Sequence, residues 1–458
     1  MPASCVTIQV GQCGNQLGAK LLDRLARDFA DEAEADYFFR APADPKHPHR
    51  VARSVLVDTE PRALGAARGG ARKGRRWAYG GRSRVCCDAG LRGCANNWAR
   101  GFSAPEEEVA RAGDALRREA ERCDALDALF FVGSGGGGTG SGLGCALASH
   151  AADAFPRTRA LHGVVLPDRE GDVAVGSCNS LLTLAHLGAD GACRGGGCVL
   201  LSNDVARTVA EEALRAERPT LDTLNGVFAH QLCGALLPGR RPGAPLKRST
   251  LASSLRHLCF HPSYRFLTAA AAPLYATAES RAFDANTWPG VVRELRRRAR
   301  PPAPPPPPAP RAAWADDDST PRERAKRRAA PPPEVRVATL AHVLSLRGGD
   351  AAGGDAADAA ERAFGDAAHV FAPWGPAAPS KVVVSAPRSP SLPRSATLLS
   401  NSTACVPHLA HLERRVSAML DARAYVHHYE RYGVGLADLE ASLDRVRGHL
   451  ADYRALDE

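Results

Sequence analysis

The run Gly133-Ser134-Gly135-Gly136-Gly137-Gly138-Thr139-Gly140-Ser141-Gly142 separates an apolar stretch, Leu126 to Val132 (LDALFFV), from the helix-forming Leu143 to Asp153 (LGCALASHAAD). Glycine lacks the Cβ that would hold an anion away from the main chain. Successive N–H groups can therefore turn toward one phosphate, and the start of the following helix adds the positive end of its dipole. Strand, glycine loop and helix in immediate succession read as an anion cradle, whereas a flexible linker would not join two regular elements so directly. The run also satisfies GxGxxG at Gly133, Gly135 and Gly138, but so glycine-rich a string matches many patterns, and it contains no Gly-Lys-Ser/Thr for a Walker A loop.

Three further turns stand in similar places. Gly11-Gln12-Cys13-Gly14-Asn15-Gln16 follows the apolar Cys5 to Val10 and opens an amphipathic pattern over Gly14 to Ala30, with Leu17, Leu21, Leu22 and Leu25 on one face. Asp58-Thr59-Glu60-Pro61 lies just past Ser54 to Val57 and supplies two carboxylates suited to a hydrated divalent cation. Ala95-Asn96-Asn97-Trp98-Ala99-Arg100 offers amide donors. Singly, these are a helix cap, an acidic turn and a loop amide. In a parallel sheet, however, ligands gather outside the carboxyl ends of the strands, so four such turns can meet at one site.

The chain has 458 residues, enough for two or three domains. Over the first 235 residues strand candidates (5–10, 54–57, 126–132, 161–166, 198–201) alternate with helical patterns (14–30, 105–122, 180–187), which predicts an α/β, mostly parallel-sheet nucleotide-binding domain at 1–235. A long core helix over about 220–235 joins it to a smaller α/β intermediate domain at 236–402. Strands are expected there at 335–346, 381–385 and 396–400, and a helix at 287–298. Residues 301–310 contain eight prolines; the Pro/Arg-rich segment at about 299–333 cannot bury a core and reads as an extended insertion. A C-terminal helical pair, 407–423 and 436–453, closes the chain within 403–458.

Composition narrows the function classes. The formal net charge is +9, but eleven basic side chains against five acidic ones fall between residues 293 and 333. A charge concentrated in one non-core segment argues against nucleic-acid binding as the main role. The thirteen cysteines form no CxxC pair and meet no His at zinc spacing, which predicts neither a disulfide framework nor a structural zinc. There is no secretory leader pattern, and the longest uncharged run, Ala128 to Ala152, contains the glycine loop and is no membrane helix. A reducing, intracellular, soluble setting follows as an expectation.

GQCGNQLG, LVDTEP, ANNWARG and GGGTGSG, in this order and at these separations, resemble the nucleotide-binding loops of the tubulin family, whose signature is the last of them. The similarity runs the whole length, through VRVATLAHVLSLRG and YVHHYERYG. WAYG at 77–80, SLLTLAHL at 180–187, LSND at 201–204 and AHQL at 229–232 point to the delta branch. The resemblance implies a guanine nucleotide, GTP or GDP, with Mg²⁺. It places Gln12 and Cys13 against the phosphates, Gly136, Gly137, Gly138, Thr139, Gly140, Ser141 and Gly142 in the phosphate loop, and Asp58 and Glu60 near Mg²⁺ and water. Asn96 would lie by the γ-phosphate and Asn203 and Asn225 on the guanine, with Asn179 also among the nucleotide-binding residues. As partners it implies other tubulin chains or microtubule ends and centriolar proteins, with no membrane and no nucleic acid. The implied location is the cytoplasmic cytoskeleton: centriole, basal body and cilium.

The departures bear on activity. The aromatic ring that stacks on guanine in common tubulins is here Leu221, the ribose-binding acid is Gly176, and the water-activating Glu of the alpha chain is Ser253. Serine is no general base at neutral pH, so hydrolysis in a neighbouring subunit's site is in doubt, and at most a weak GTPase is expected. The last residues, ADYRALDE, are only mildly acidic, so a Glu-rich tail like that of conventional chains is not expected. Two alternatives stay open: a conventional or gamma-like tubulin with active GTP turnover, and a dinucleotide oxidoreductase using the GxGxxG match with Asp153 as its ribose acid.

Overall fold

The computed structural model describes residues 3–29, 34–42, 49–68, 77–87, 93–169, 171, 173–189, 193, 195–241, 244–275, 286–300, 337–365, 370–385 and 392–456. The insertion expected at 299–333 lies almost wholly outside them. The strands are β1 (Ala3–Val10), β2 (Phe39–Arg40), β3 (Arg50–Ala52), β4 (Ser54–Asp58), β5 (Trp77–Tyr79), β6 (Arg84–Cys86), β7 (Ala125–Ser134) and β8 (Arg159–Leu166) in the first part of the chain. They continue with β9 (Gly197–Ser202), β10 (Gly239–Arg241), β11 (Ala244–Ser249), β12 (Phe266–Ala272), β13 (Ala338–Gly348), β14 (Val370–Phe371), β15 (Ser380–Ser385) and β16 (Arg394–Ser402).

One twisted sheet runs through the molecule in the order β11-β10-β15-β13-β16-β12-β9-β8-β7-β1-β4-β6, with β14 beside β13, while β2, β3 and β5 form a small second sheet. From β12 to β6 every pairing is parallel. On the other side of β12, β16 and β13 pair antiparallel, and β13 and β15 return to parallel. Parallel strands need helical crossovers, which cover both faces, so these strands are buried almost end to end rather than alternately.

Side chains that alternate along each strand feed different cores. Cys5, Ala128, Phe130, Val132, Leu161 and Val199 pack under helices Gly11–Phe29, Leu221–Leu236 and Leu251–Leu258. Val6, Ile8, Val10, Leu129 and Phe131 face the opposite way, toward helices Glu106–Ala120 and Gly144–Ala154. On that second face, helix Gly176–Gly188 meets the C-terminal helices Val406–Asp421 and Leu436–Arg454 through Leu409, Leu412, Val416, Leu439, Leu443 and Val446. The core helix Leu221–Leu236 is buried nearly all round, which explains its lack of an amphipathic pattern. Among the described residues no helix is long and apolar enough to cross a membrane.

Two local expectations need correction. The first helix begins at Gly11 rather than Gly14: Gly11 has φ +74°, so a single left-handed residue turns the end of β1 directly into a helix. The C-terminal pair also encloses a third, short helix, Val426–Glu430. The close seating of the first helix on β7 is backbone against backbone, since a Cβ on Gly14 would stand 2.2 Å from Val132 O. Gly14→Ala, although it improves helix propensity, should therefore cost about 1–3 kcal/mol and lower the thermal midpoint; an unchanged melting curve would show that the helix can lift off the sheet.

Candidate functional site

The glycine loop leaves β7 at the carboxyl edge of the parallel sheet, between β8 and β1. Gly135 N still donates to Val165 O at 2.9 Å, and Gly136 N to Ser134 Oγ at 3.3 Å. The chain then makes a wide turn over Thr139–Leu143 before helix Gly144–Ala154. Ser141 is fully buried, its hydroxyl donating to Gly137 O, and Gly142 N donates to Gly138 O at 2.8 Å. Among the described residues, the backbone amides of Gly137, Gly138, Thr139 and Gly140 have no acceptor. Four successive unpaired donors at the head of a helix are what an anion requires, and a buried amide left without any partner is costly.

Absence of side chains lets the other turns close on this loop. A Cβ on Gly11 would lie 2.9 Å from Gly140 N, and one on Gly140 would lie 2.7 Å from Ser134 N. A Cβ on Gly138 would meet Asn97 N at 2.7 Å, and one on Gly142 would meet Trp98 O at 2.0 Å. The first helix, the phosphate-loop candidate and the short helix Trp98–Phe102 thus touch through their main chains. Gln12 is exposed on the first helical turn beside the loop, and Cys13 is half-buried, its thiol pushed up to about 12 by burial and therefore neutral. Asn96 is exposed, with Ala95 and Asn96 both left-handed at φ +45° and +52°.

On the cation side, Thr59 Oγ1 lies 2.8 Å from Thr139 Oγ1 and ties the acidic turn to the glycine loop. Asp58 is buried; its Oδ1 accepts from Thr59 N at 2.8 Å and Glu60 N at 3.2 Å, and its Oδ2 from Asn15 Nδ2 at 3.3 Å. Glu60 is exposed across from Gly93. Among the described residues no three His, Cys, Asp or Glu side chains gather around a common metal position. Two carboxylates beside an anion cradle fit Mg²⁺, which keeps several waters and shares phosphate oxygens. Burial raises Asp58 from 3.8 to about 6, outweighing the hydrogen bonds from Glu60, Thr59 and Asn15 that lower it.

Asn179 is completely buried and uses all its polar atoms: Nδ2 donates to Asn96 O at 2.7 Å and to Gly136 O at 2.9 Å, while Oδ1 accepts from Trp98 N at 3.0 Å and the Tyr429 hydroxyl at 2.8 Å. It braces the loops around the site. Gly176, where an acid would hold ribose, places no side chain near Gly136. Asn203 opens helix Asn203–Leu214, and Asn225 is buried one turn into the core helix; these two helices pack together. Leu221 precedes Asn225 by one turn and is 65% exposed. Next to it, Lys20 Nζ bonds both Asp222 oxygens at 2.6 Å, clamping the first helix to the head of the core helix. Thr59, Asn15 and Tyr429 lie within the motifs DTEP, GQCGNQ and YVHHYERYG, but nothing in the sequence alone assigns them these bonding roles.

Ser253 is engaged by the protein. Its hydroxyl closes a capping box with Thr250, accepting from Thr250 N at 3.1 Å and donating to Thr250 O at 2.9 Å, and it also accepts from Lys381 Nζ at 3.1 Å. Asp153 is exposed near the end of helix Gly144–Ala154, roughly 15 Å of helix beyond the loop, so it cannot serve as a ribose acid beside it.

Residues 4–206 match the family described as "Tubulin/FtsZ family, GTPase domain". Over 98% of its length the chain is 27% identical to the tubulin delta chain of Macaca fascicularis, covering 99% of that protein. Against the tubulin delta chain of Mus musculus it is 28% identical, covering 99% of both chains. The tubulin beta-1 chain of Chondrus crispus is 29% identical over 60% of this chain and 61% of its own.

The raised Asp58 has a thermodynamic consequence. Between about pH 4 and 6 the native protein retains a proton that the unfolded chain has lost, so stability falls as pH rises through that window and the loss persists above it. Asp58→Asn should remove a pH-dependent destabilisation on the order of 3 kcal/mol: in nucleotide-free protein its melting temperature should fall less than that of wild type between pH 4 and 7. Parallel pH curves would count against the buried ionisation.

Proposed function

From the premise that this is a tubulin-family protein, similar to delta chains over nearly its whole length, we propose that it is a GTP-binding structural component of the microtubule cytoskeleton, acting at centrioles, basal bodies and cilia with other tubulin chains and centriolar proteins. The observation that carries the nucleotide reading is the row of four amides from Gly137 to Gly140, unpaired among the described residues and pressed against the first turn of helix Gly11–Phe29. These amides would hold the phosphates. Asp58 and Glu60 would hold Mg²⁺, which when bound supplies charge neutralisation. Gln12, Cys13 and Asn96 would line the phosphate end, braced by Asn179.

At the other end, Asn203 and Asn225 would read the guanine edge, each amide side chain able to give one donor and one acceptor. Leu221 offers only an apolar surface where a ring would stack. The role is assembly rather than turnover: Ser253, saturated by Thr250 and Lys381, has no lone pair free to take a proton from water. Nucleotide state would bias contacts with the neighbouring chain.

Extraction of the nucleotide retained by the purified chain, followed by chromatography, tests this directly. GDP or GTP is expected; NAD, or no response of the pure protein to added guanine nucleotide, would overturn it. A second measurement addresses the base pocket. Leu221→Tyr restores a stacking ring at an exposed position and should tighten GTP binding by about 1 kcal/mol, roughly fivefold, in a calorimetric titration. An unaltered affinity would place the base elsewhere.

A further inference from the structure

Among the described residues, the hydroxyl of Tyr429, 250 positions after Asn179 in the chain, is the one hydrogen-bond partner that the C-terminal region gives that brace. Tyr429 lies on the short helix Val426–Glu430 and is buried, with its hydroxyl 2.8 Å from Asn179 Oδ1 and 3.4 Å from Val175 O. The same short helix is held a second time: Asn97 Nδ2 donates to His428 O at 2.8 Å, while Asn97 Oδ1 caps the next helix by accepting from Arg100 N at 3.0 Å. Both ties end on residues that frame the four open amides. Through Asn179 Nδ2 the first reaches the carbonyl of Gly136, immediately before them, and the carbonyl of Asn96; the second reaches the residue next to Asn96.

Around this buried anchor the segment is exposed. Tyr425, His427, His428, Glu430 and Arg431 face solvent, and Arg100 lies over the Tyr432 ring at 5.9 Å. An anion that draws in the amides of Gly137 to Gly140 must fix the peptide of Gly136, whose carbonyl is an acceptor of Asn179. Asn179 has no unused polar atom, so it cannot follow that carbonyl without altering its bond to Tyr429. In a close-packed interior such rearrangements pass between discrete bonded states rather than fading smoothly.

We propose that Tyr429 is a positioning residue that couples occupancy of the terminal-phosphate end of the site to the exposed segment 425–432. This rests on the guanine-nucleotide reading above, in which Asn96 marks that end. The coupling is reciprocal: whatever constrains 425–432 must change affinity for the nucleotide that favours the same arrangement.

The test uses the full chain. Wild type and Tyr429→Phe are titrated with GTP and with GDP in the presence of Mg²⁺, and backbone hydrogen exchange of 425–432 is followed with each nucleotide. Loss of one hydrogen bond should weaken GTP binding about fivefold, with GDP affinity changing less than twofold. Wild type should show different exchange at 425–432 in GTP and GDP, and the variant should not. Asn97→Asp keeps the cap on Arg100 but removes the donor to His428 O, and it should move the GTP to GDP ratio in the same direction; it carries the test if Tyr429→Phe does not fold. Equal loss for both nucleotides together with a lower melting temperature would mean a merely structural tyrosine. Unchanged affinities, or identical exchange in the two nucleotides in wild type, would also overturn the coupling. A wild-type chain that binds neither nucleotide overturns the functional reading itself, a result distinct from all of these.

Discussion

Main chain packed on main chain is the constraint from which the rest of this molecule follows. At Gly11, Gly14, Gly138, Gly140 and Gly142 a single added carbon would fall between 2.0 and 2.9 Å from another segment's atoms. These glycines let β1, β7, the first helix and the helix Trp98–Phe102 close on one point. Among the described residues, the amides of Gly137 to Gly140 in this bare loop have no acceptor. Packing and ligand chemistry therefore have one cause: removing Cβ both permits the approach and exposes the donors.

A polar scaffold supports that point from behind. Asn179 gathers the glycine loop, the Asn96 turn, the Trp98 helix and the C-terminal Tyr429 with four hydrogen bonds from a side chain that is itself fully buried, where an unsatisfied amide would be expensive. Asn15 does the same for Asp58, and Thr59 joins the acidic turn to Thr139. The buried carboxylate of Asp58 is tolerated because three donors face it, yet burial still raises its pKa. A site so built favours a partner carrying compensating charge.

At the helix Leu251–Leu258 the chemistry points the other way. A serine locked into a capping box, with a buried lysine donating to it, stabilises a helix end and offers water no base. Its hydroxyl belongs to the architecture of that helix end.

Much of this was legible in one dimension. The alternation of apolar runs with 3.6-residue patterns located β1, β4, β7, β8 and β9, and the glycine spacing marked the loop between β7 and its helix, because strand burial and loop conformation are set largely by local residue type. The strand Phe266–Ala272, with its FLTAAAA run, gave no such signal, and neither did the helix Gly354–Phe364. Alanine-rich segments suit helix and strand about equally until neighbours select one. Nor could order along the chain reveal that a single sheet would continue from β9 across β12 into β16 and β13, or that Tyr429 would reach Asn179 from 250 residues away. Those outcomes depend on which faces are left to bury and which polar atoms are left to satisfy once the layers meet, and such demands exist only after the chain has folded.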